Sequence, residues 1–181
     1  MSKLFIIISV LFISTVSFAD KFSADAQYQV CFTPNGACTD LIVSAINQSR
    51  KQILVQAYSF TSPSIAKALI LAYKRGVEVK IILDKSQFRS RGFSSAKFFT
   101  DYHLPVWEDF QPSIAHNKVM VIDNKTVITG SFNFTKAAQE QNAENVIIIT
   151  DSELAKKYSA NWERRANVSE KIKGQPSPFL D

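Results

Sequence analysis

Short apolar runs along the chain alternate with segments that have helical periodicity. The run ILVQAYSF at 53–60 is almost unbroken, as expected of a strand that is covered on both faces. Three further runs have the length and composition of strands. They lie at residues 28–33, 77–84 and 144–150. The pattern therefore predicts a sheet whose strands are separated by other elements.

The segments between and after these runs repeat apolar residues every three or four positions, which indicates amphipathic helices. Each predicted helix also has a polar residue, or a proline, placed to start it. The candidate starts are Thr39 or Asp40, Ser62 with Pro63, and Asp151 or Ser152. The second helix is expected to stop at Gly76, and the last one at about residue 166.

Strands that alternate with helices over short connections favour a parallel sheet with helices packed against it. A polar, basic segment at 85–93 interrupts this alternation before a short helix, and a hairpin is predicted at 116–135. Because the two strands of a hairpin are antiparallel, the expected fold is a single α/β domain, a mixed β-sheet sandwiched by helices. The Pro-rich tail is expected to be loosely held.

The first 19 residues have the composition of a secretory signal peptide. Lys3 precedes an apolar and hydroxylic run at 4–18, and small residues stand just before Asp20 as in a cleavage site. The alternative, a membrane span, needs roughly 20 apolar residues. We therefore expect a signal peptide at 1–19 and a mature domain at 20–181, without a stable membrane anchor once the peptide is cleaved.

The charge and the cysteines fit an exported protein with an anionic partner. The formal charge of +5 falls by one, to +4, when Lys3 is removed, and a basic excess favours nucleic acid or anionic lipid. Cys31 and Cys38 flank a turn at 34–36 that brings them together. In an oxidising compartment they are expected to form a structural disulfide. A metal site would need further ligands, and no His, Asp or Glu lies between them.

The predicted hairpin carries polar residues where a core strand would be apolar. Side chains alternate between the faces of a strand, so His116 and Lys118 share one face. If a two-residue turn forms at 124–125, Lys118 lies opposite Ser131 and His116 lies opposite Asn133. Directly opposed residues have Cβ atoms about 5 Å apart. Four polar side chains are thus expected to converge at the open end of the hairpin.

Such a cluster is suited to chemistry on a phosphate. A Lys ammonium, an Asn amide and a Ser hydroxyl can bind the non-bridging oxygens, while a neutral imidazole can attack phosphorus or move a proton. Gly130 adds room for a close approach of the backbone. Each residue alone is more simply explained as a strand side chain that reaches solvent, but that explanation is poor for the four together.

The spacing of these residues is similar to a long signature. From His116 to Asn133 the chain reads H-x-K-x4-D-x6-G-S-x-N, which resembles the HxKxxxxDxxxxxxGSxN motif of the phospholipase D superfamily without a departure. The segments ILVQAYSFTSPSIAKAL, VKIILD and QNAENVIII also resemble the short secreted bacterial nucleases of that superfamily. The resemblance covers most of residues 26–162.

The resemblance implies a mechanism without a metal or another cofactor. In the superfamily one histidine attacks phosphorus and forms a phosphohistidine, and a second histidine protonates the leaving oxygen and later activates water. Lys and Asn side chains stabilise the negative charge. Carried onto this chain, the resemblance makes His116 the nucleophile or the acid/base, and Lys118 and Asn133 the phosphate ligands. Ser131 would support the site by hydrogen bonding.

Two acidic residues receive supporting roles. Asp123 belongs to the signature but falls at the hairpin turn, where we expect it to be structural and to bond that turn. Glu144 opens the next predicted strand and is the candidate for orienting the His116 imidazole through its other nitrogen. The alternative for Glu144 is a solvated acid at the start of a strand.

The mechanism needs two histidines at one phosphate, and the chain supplies one motif. The other histidine, His103, is followed by Pro105 where the motif has a lysine. A second copy of the chain would supply the missing imidazole across a twofold axis. A homodimer through the active-site face is therefore predicted.

The substrate is expected to be nucleic acid. Small size, basic charge and a single motif resemble the nuclease branch, and Lys85, Arg89 and Arg91 are candidates for a basic rim that grips neighbouring phosphates. We predict an endonuclease with little sequence specificity that acts on DNA, with RNA as a second candidate. A glycan on the Asn-x-Thr site at Asn133 would block the pocket, which favours a bacterial periplasmic or secreted protein.

Three alternatives remain open at this point. One is a phospholipase D-type hydrolase of phospholipid, which shares the same chemistry. Another is a DNA-binding protein that holds phosphate without cutting it, although a binding module has no need of a reactive histidine. A metal-dependent secreted nuclease is the third, and the sequence lacks the HxH, DxD or HExxH clusters that would hold its metal.

Overall fold

The computed structural model describes residues 19–89 and 95–172. Arg91, the Pro-rich tail and all but the last residue of the predicted signal peptide lie outside the described residues. In chain order the elements are β1 (Gln27–Thr33), α1 (Cys38–Gln48), β2 (Gln52–Ala57), α2 (Pro63–Lys74), β3 (Glu78–Asp84), α3 (Ser86–Arg89), α4 (Ser95–Asp101), β4 (Val106–Asp109), β5 (Lys118–Ile122), β6 (Thr126–Gly130), α5 (Lys136–Glu140), β7 (Glu144–Thr150), α6 (Ser152–Ala166) and β8 (Glu170–Lys171).

The eight strands found in the described residues form one sheet, in the order β1-β7-β6-β5-β2-β3-β4-β8. β3 pairs parallel with β2 and with β4, whereas the other neighbouring strands pair antiparallel. The predicted α/β fold with a mixed sheet is therefore confirmed. β4, β8 and α5 are too short to give a clear pattern in the sequence and were not predicted.

Helices cover both faces of the sheet. α1 and α2 pack on one face, where Ile42 and Leu69 are fully buried against strand residues such as Ile53. α6 covers part of the other face, where Trp162 lies in a cluster with Val121 and other strand residues. Within 19–89 and 95–172, no helix has the length and apolar character that crossing a membrane requires.

The helix starts are partly as predicted. Ser62 caps α2, with Pro63 as its first residue, and the Asp151 carboxylate accepts the Leu154 N–H at the start of α6. The predicted start of α1 is wrong, because the helix begins at Cys38 and no side chain of its own caps it. There Gln139, on α5, accepts the backbone N–H of residue 39 instead.

The predicted disulfide is present and joins β1 to α1 through Cys31 and Cys38. It ties the edge strand of the sheet to the helix layer. The constraint that the disulfide places on the chain is local, because only a short loop separates the two cysteines in the sequence.

The hairpin of β5 and β6 has a different register from the predicted one. Ile122 pairs with Thr126, so the turn has three residues, Asp123, Asn124 and Lys125, and the first two have φ of 55° and 52°. Asp and Asn are the residues that tolerate this left-handed conformation best after glycine. The predicted pairing of residues 118 and 131 is therefore wrong by one position.

At the open end of the hairpin, β5 and β6 no longer pair with each other. Lys118 pairs with Ala57 of β2, while Gly130 pairs with Val146 of β7. The polar residues of the motif are consequently held by neighbouring strands on both sides, and not by one another across the hairpin.

Candidate active site

His116 lies just before β5 and is exposed, with its ring against that of Tyr58. The two ring centroids are 4.7 Å apart and the rings are tilted by 54°. The next residue, Asn117, is bonded twice to β2 and the residue after it: its backbone oxygen accepts the Tyr58 N–H at 2.8 Å, and its side-chain oxygen accepts from Gln56 at 3.1 Å. The imidazole is thus mounted on an anchored backbone while its ring remains accessible.

The segment that leads into His116 is fixed by the end of β3. The buried Asp84 carboxylate accepts the Ala115 N–H at 2.7 Å and the Ser86 N–H at 2.9 Å. Burial raises the pKa of Asp84, but the hydrogen bonds from Ser86 and Ala115 outweigh it, so its pKa lies below the usual range. Asp84 therefore remains a carboxylate at neutral pH and holds the residue next to the imidazole.

Lys118 is buried, with 8% of its surface exposed. Its ammonium donates to the backbone oxygen of His116 at 3.1 Å and lies 5.4 Å from the centroid of the Tyr58 ring. Burial lowers the pKa of Lys118, and the negative charge of Glu144 partly opposes this effect. The structure thus brings the ammonium, the imidazole-bearing residue and an acidic group into one cluster.

Glu144 and Ser131 form the other side of this cluster. The Ser131 hydroxyl donates to the Glu144 carboxylate at 2.5 Å, and Asn142 donates to its second oxygen at 3.0 Å. Ser131 also accepts the Asn145 N–H at 3.1 Å. Among the described contacts, the Glu144 carboxylate does not bond the His116 imidazole of its own chain, so the predicted orienting contact is not formed within one subunit.

The side-chain oxygen of Asn133 is buried and has no hydrogen-bond partner among the described residues. An unpaired buried polar atom costs about 1–3 kcal/mol, and such atoms in native folds call for a functional or structural reason. The neighbouring residue, Phe134, is well fixed, because its backbone oxygen accepts the N–H groups of Thr61 and Ser62. Asn133 therefore has an unpaired acceptor atom beside a residue whose backbone is fixed by hydrogen bonds.

Gly130 has a φ of 148°, and a Cβ at this position would lie 2.2 Å from the backbone oxygen of Asn145. The same oxygen accepts the Ser131 N–H at 3.1 Å. The backbone that approaches Gly130 thus belongs to β7, and the close approach sets Ser131 beside Glu144.

Asp123 lies at the other end of the hairpin, as predicted, but its carboxylate bonds a different turn. It accepts the backbone N–H groups of Arg50, Lys51 and Gln52 at 2.9, 2.7 and 3.0 Å. The carboxylate thereby joins the hairpin to the connection between α1 and β2. Asp123 makes structural contacts away from the cluster around His116.

The candidate basic rim is only partly available for binding. Lys85 and Arg89 line an open cleft of about 350 Å³ that Tyr58 also borders. However, the Lys85 ammonium donates to the backbone oxygen of Pro112 at 2.9 Å, so it ties down the segment before His116. Burial raises the pKa of the Glu108 carboxyl, and the positive charge of Arg89 nearby partly opposes this effect.

The second histidine of the chain, His103, lies apart from these contacts. It is exposed after the end of α4, with a φ of 59° and its N–H bonded to Thr100. Within the part of the chain that the structure describes, no group of three or more His, Cys, Asp or Glu side chains is arranged to hold a metal ion.

Comparison with known proteins identifies the family of the chain. Residues 42–166 match a family model described as the phospholipase D-like domain of cardiolipin synthase. A curated phospholipase D of Rickettsia felis is 47% identical over 140 residues, which are 77% of this chain and 70% of that protein. The chain belongs to the phospholipase D superfamily. As in the named relatives, it is a phosphodiester hydrolase.

Two solved structures have the same fold. Nuc from Salmonella typhimurium, a phospholipase D family member, is 39% identical with a TM-score of 0.76, and the match covers 82% of this chain and 99% of Nuc. NucT from Helicobacter pylori has a TM-score of 0.75 at 24% identity, and the match covers 82% of this chain and 100% of NucT. At that identity the likeness shows the fold alone. A human mitochondrial cardiolipin hydrolase is 29% identical over 74% of this chain and 53% of its own length.

Sequence reasoning missed Tyr58 and Asp84. Both lie at the carboxyl ends of strands that were predicted, Tyr58 after β2 and Asp84 as the last residue of β3. The carboxyl ends of parallel strands are where open α/β sheets gather their functional residues. That rule, applied to the predicted β2 and β3, would have singled out both residues in this member of the phospholipase D superfamily.

Proposed function

We propose that the chain is an endonuclease that hydrolyses DNA without sequence preference and without a metal, in an active site shared by two copies of the chain. The observation that carries the proposal is that the exposed imidazole of His116 and the buried ammonium of Lys118 both lie beside the Tyr58 ring, with the ammonium bonded to the backbone oxygen of His116. A nucleophile needs access to phosphorus, and a desolvated cation stabilises the charge that develops on the phosphate oxygens. The two requirements are met by neighbouring residues.

The reaction proceeds in two displacements. The His116 imidazole attacks phosphorus and forms a nitrogen–phosphorus bond, while the leaving oxygen takes a proton from the imidazolium of the partner subunit's His116. That second imidazole then removes a proton from water, the hydroxide attacks phosphorus, and the bond to His116 breaks. Lys118 and Asn133 hold the phosphate oxygens throughout, with the Lys118 ammonium and the N–H groups of the Asn133 amide as donors.

The proposed dimer also provides a histidine ring that can donate a hydrogen bond to the Glu144 carboxylate. Its carboxylate makes no hydrogen bond to the imidazole of its own chain among the described contacts, yet it lies close enough to Lys118 to affect its pKa. In a twofold assembly it can accept from the ring of the partner subunit's His116, which is the orienting role that an acid has in other histidine sites.

DNA is favoured over phospholipid by size and charge. The match to Nuc covers 99% of that protein, so this chain has the small size of the single-motif nucleases that its sequence resembles. The formal charge of +4 after removal of the signal peptide suits a polyanion. Phospholipid is the second candidate, because the Rickettsia felis relative is named phospholipase D. Exposed Phe110 and Ile114, close to the cleft beside Tyr58, are the specific feature that favours it.

The proposal includes export to the bacterial periplasm or beyond. The bond between Cys31 and Cys38 supports it, because disulfides persist in oxidising compartments and are rare in the cytoplasm of ordinary bacteria. N-terminal sequencing of the protein recovered from a periplasmic extract tests this part, with Asp20 as the expected first residue.

The decisive experiment is cleavage of plasmid DNA in excess chelator by wild type, His116→Ala and a matched control, His103→Ala. We expect wild type and the control to cleave, and His116→Ala to lose activity by several orders of magnitude. Acid-labile label on the protein after a reaction with labelled DNA would report the phosphohistidine. Loss of wild-type cleavage in chelator, or full activity of His116→Ala, would contradict the proposal.

The same preparations distinguish the alternatives. Vesicles that contain phosphatidylcholine and cardiolipin, assayed in parallel, test the phospholipase. Binding of DNA without any cleavage by wild type would identify a DNA-binding protein. Equal cleavage of unrelated DNA sequences, weakened by salt to a similar degree, is expected for a nonspecific nuclease.

A further inference from the structure

Thr33, the last residue of β1, joins three segments beside the candidate active site. The backbone oxygens of Ala138 and Asn142 share its hydroxyl proton at 2.8 and 3.0 Å, and the hydroxyl oxygen accepts the Glu144 N–H at 3.1 Å. The residue is 5% exposed, so water competes little for these bonds. One hydroxyl thus holds α5, the connection after it and the start of β7.

The segments that Thr33 holds carry the Glu144 carboxylate. The side-chain amide of Asn142 donates to one carboxylate oxygen at 3.0 Å. Thr33 and Glu144 are directly paired across β1 and β7, so their side chains lie on one face of the sheet. That is the face of Val146 and Met120, which α1 and α2 cover. The position of the carboxylate therefore depends on the bonds of Thr33.

Gln139 of α5 holds the loop that follows β1. Its amide donates to the backbone oxygen of Gly36 at 2.7 Å and accepts the N–H of residue 39 at 2.8 Å. A Cβ at Gly36 would lie 2.1 Å from the backbone oxygen of Phe32, so the loop is folded tightly against β1. We call the hydrogen bonds of Thr33 and Gln139 the β1–α5 network.

The disulfide closes the same loop. Cys31 lies two residues before Thr33 on β1, and Cys38 is the first residue of α1. The bond therefore fixes the two ends of the loop that Gln139 binds. Reduction removes this link but leaves the seven residue pairs between β1 and β7, so the sheet should persist while the loop loosens.

We propose that the β1–α5 network positions Glu144 for the reaction and that the disulfide between Cys31 and Cys38 holds the network in place, so that the active site is complete only in the oxidised chain. The inference rests on the proposed function, in which the Glu144 carboxylate belongs to the active site. Thr33 and Gln139 act through Glu144 and are positioning residues.

The disulfide makes hydrolysis depend on the compartment. When it forms, the two thiols lose two protons and two electrons, which a disulfide-bonded oxidant of the exported compartment accepts as it becomes a dithiol. In the reducing cytoplasm the thiols persist. A chain that remains there hydrolyses slowly and spares the DNA of the cell that makes it.

The first test is Thr33→Val, which removes the hydroxyl at nearly constant volume. Thr126→Val is the matched control, because Thr126 bonds to Thr150 on the same sheet at the end away from Glu144. Bis(4-nitrophenyl) phosphate serves as the substrate, so the result does not depend on DNA. We expect kcat to fall about 10- to 100-fold in Thr33→Val, to stay near the wild-type value in Thr126→Val, and to be restored in Thr33→Ser.

The second test is reduction of wild type by excess dithiothreitol, which is itself oxidised to a cyclic disulfide. We expect kcat to fall by a similar factor, and to return after oxidation with glutathione disulfide. A chain with both Cys31→Ser and Cys38→Ser should be slow with or without the reductant. Because the network acts as one unit, reduction of Thr33→Val should cause little further loss.

The pH profile separates positioning from a general weakening of the fold. Titratable groups border the Lys118 ammonium from three elements: Glu144 at the start of β7, His116 before β5 and Tyr58 after β2. Burial lowers the pKa of Lys118, and Glu144 partly opposes this effect, so displacement of Glu144 should lower that pKa further. Because the protonated amine binds phosphate, the basic limb of kcat against pH should move to lower pH in Thr33→Val and in reduced wild type.

Four outcomes would overturn the inference: equal hydrolysis by oxidised and reduced wild type, full activity of Thr33→Val, a slow Thr33→Val chain with an unmoved basic limb, or loss of circular dichroism on reduction. The last outcome would make the disulfide a requirement for folding. A chain that responds to reduction and to Thr33→Val in the diester assay, but cleaves no DNA, would retain the inference and reject the nuclease.

Discussion

The two ends of the β5–β6 hairpin belong to one sequence signature but are built in opposite ways. At the turn, the Asp123 carboxylate accepts three backbone N–H groups. At the other end, Lys118 is desolvated with a lowered pKa, and the side-chain oxygen of Asn133 is buried without a partner among the described residues. The first end has its polar groups satisfied, whereas the second has a desolvated cation and an unpaired acceptor.

This difference separates stability from chemistry within one motif. Satisfied hydrogen bonds from a carboxylate to backbone N–H groups stabilise the fold. Desolvated or unpaired groups destabilise it and are found where function requires them. Substitutions at the two ends should therefore have opposite effects on hydrolysis and on the free energy of unfolding, and a substitution of Asp84, which holds the residue before His116, should lie between them.

Lys118→Met should give the largest loss, about 100- to 1,000-fold in kcat, the effect of removing one donor that stabilises a developing negative charge. Methionine fills a similar volume without a buried charge, so the melting temperature should not fall. Steady-state kinetics and a thermal melt on the same preparation check both statements. A stable Lys118→Met variant with wild-type kcat would contradict the contrast drawn between the two ends of the hairpin.

Asn133→Ala should lower kcat by about 10- to 100-fold, because one hydrogen bond to phosphate is lost. The free energy of unfolding should stay the same or rise, since the variant no longer buries an unpaired oxygen. Denaturant unfolding measures this. A fall in the free energy of unfolding of more than about 2 kcal/mol would mean that Asn133 has a structural partner. Its role would then be structural, like that of Asp123.

Asp84→Asn should lower kcat about tenfold with little change in KM, because the amide holds the Ala115 N–H, and with it His116, less well. The pKa of Asp84 is lowered in the fold, so its stabilisation is fully present above the unfolded pKa of about 3.9. It is lost as pH falls through the lower folded value. The difference in unfolding free energy between wild type and variant should thus be largest near neutral pH and should vanish in acid.

Asp123→Ala should leave hydrolysis by the folded chain within about twofold of wild type, because its contacts are far from the chemistry along the hairpin. The free energy of unfolding should fall by about 2 kcal/mol, since hydrogen bonds to a charged group contribute about 1.5–3 kcal/mol and these are partly exposed. Asp25→Ala is the matched control, an exposed aspartate in a turn, and should change stability by less than 0.5 kcal/mol. A large loss of kcat at 20 °C would show that the turn does reach the active site.

The fold was largely predictable because strand and helix periods are local properties of the sequence. The register of the hairpin was not, because the turn is fixed by the bonds of Asp123 to residues 50–52, more than 70 positions away. The start of α1 was missed for a similar reason, since Gln139 caps it from α5. Long-range contacts of this kind leave no periodic signal.

The candidate site was likewise predictable only where its residues are linked by spacing along the sequence. Spacing and resemblance predicted that His116, Lys118 and Asn133 form one group. Spacing did not identify Tyr58, whose ring touches both the imidazole and the ammonium. Spacing also could not decide which histidine Glu144 serves in the proposed dimer, because in that assembly the contact lies between chains and not along one chain.

Both tryptophans of the chain lie in one place. Trp162 of α6 donates its indole N–H to the backbone oxygen of Val55 at 2.8 Å, and its ring meets that of Trp107 edge to face at 5.5 Å between centroids. The intrinsic fluorescence of the protein is therefore an optical gauge of how α6 is seated on the sheet. An inactive variant with an unaltered emission spectrum has kept that seating, so its defect can be sought among the reacting groups.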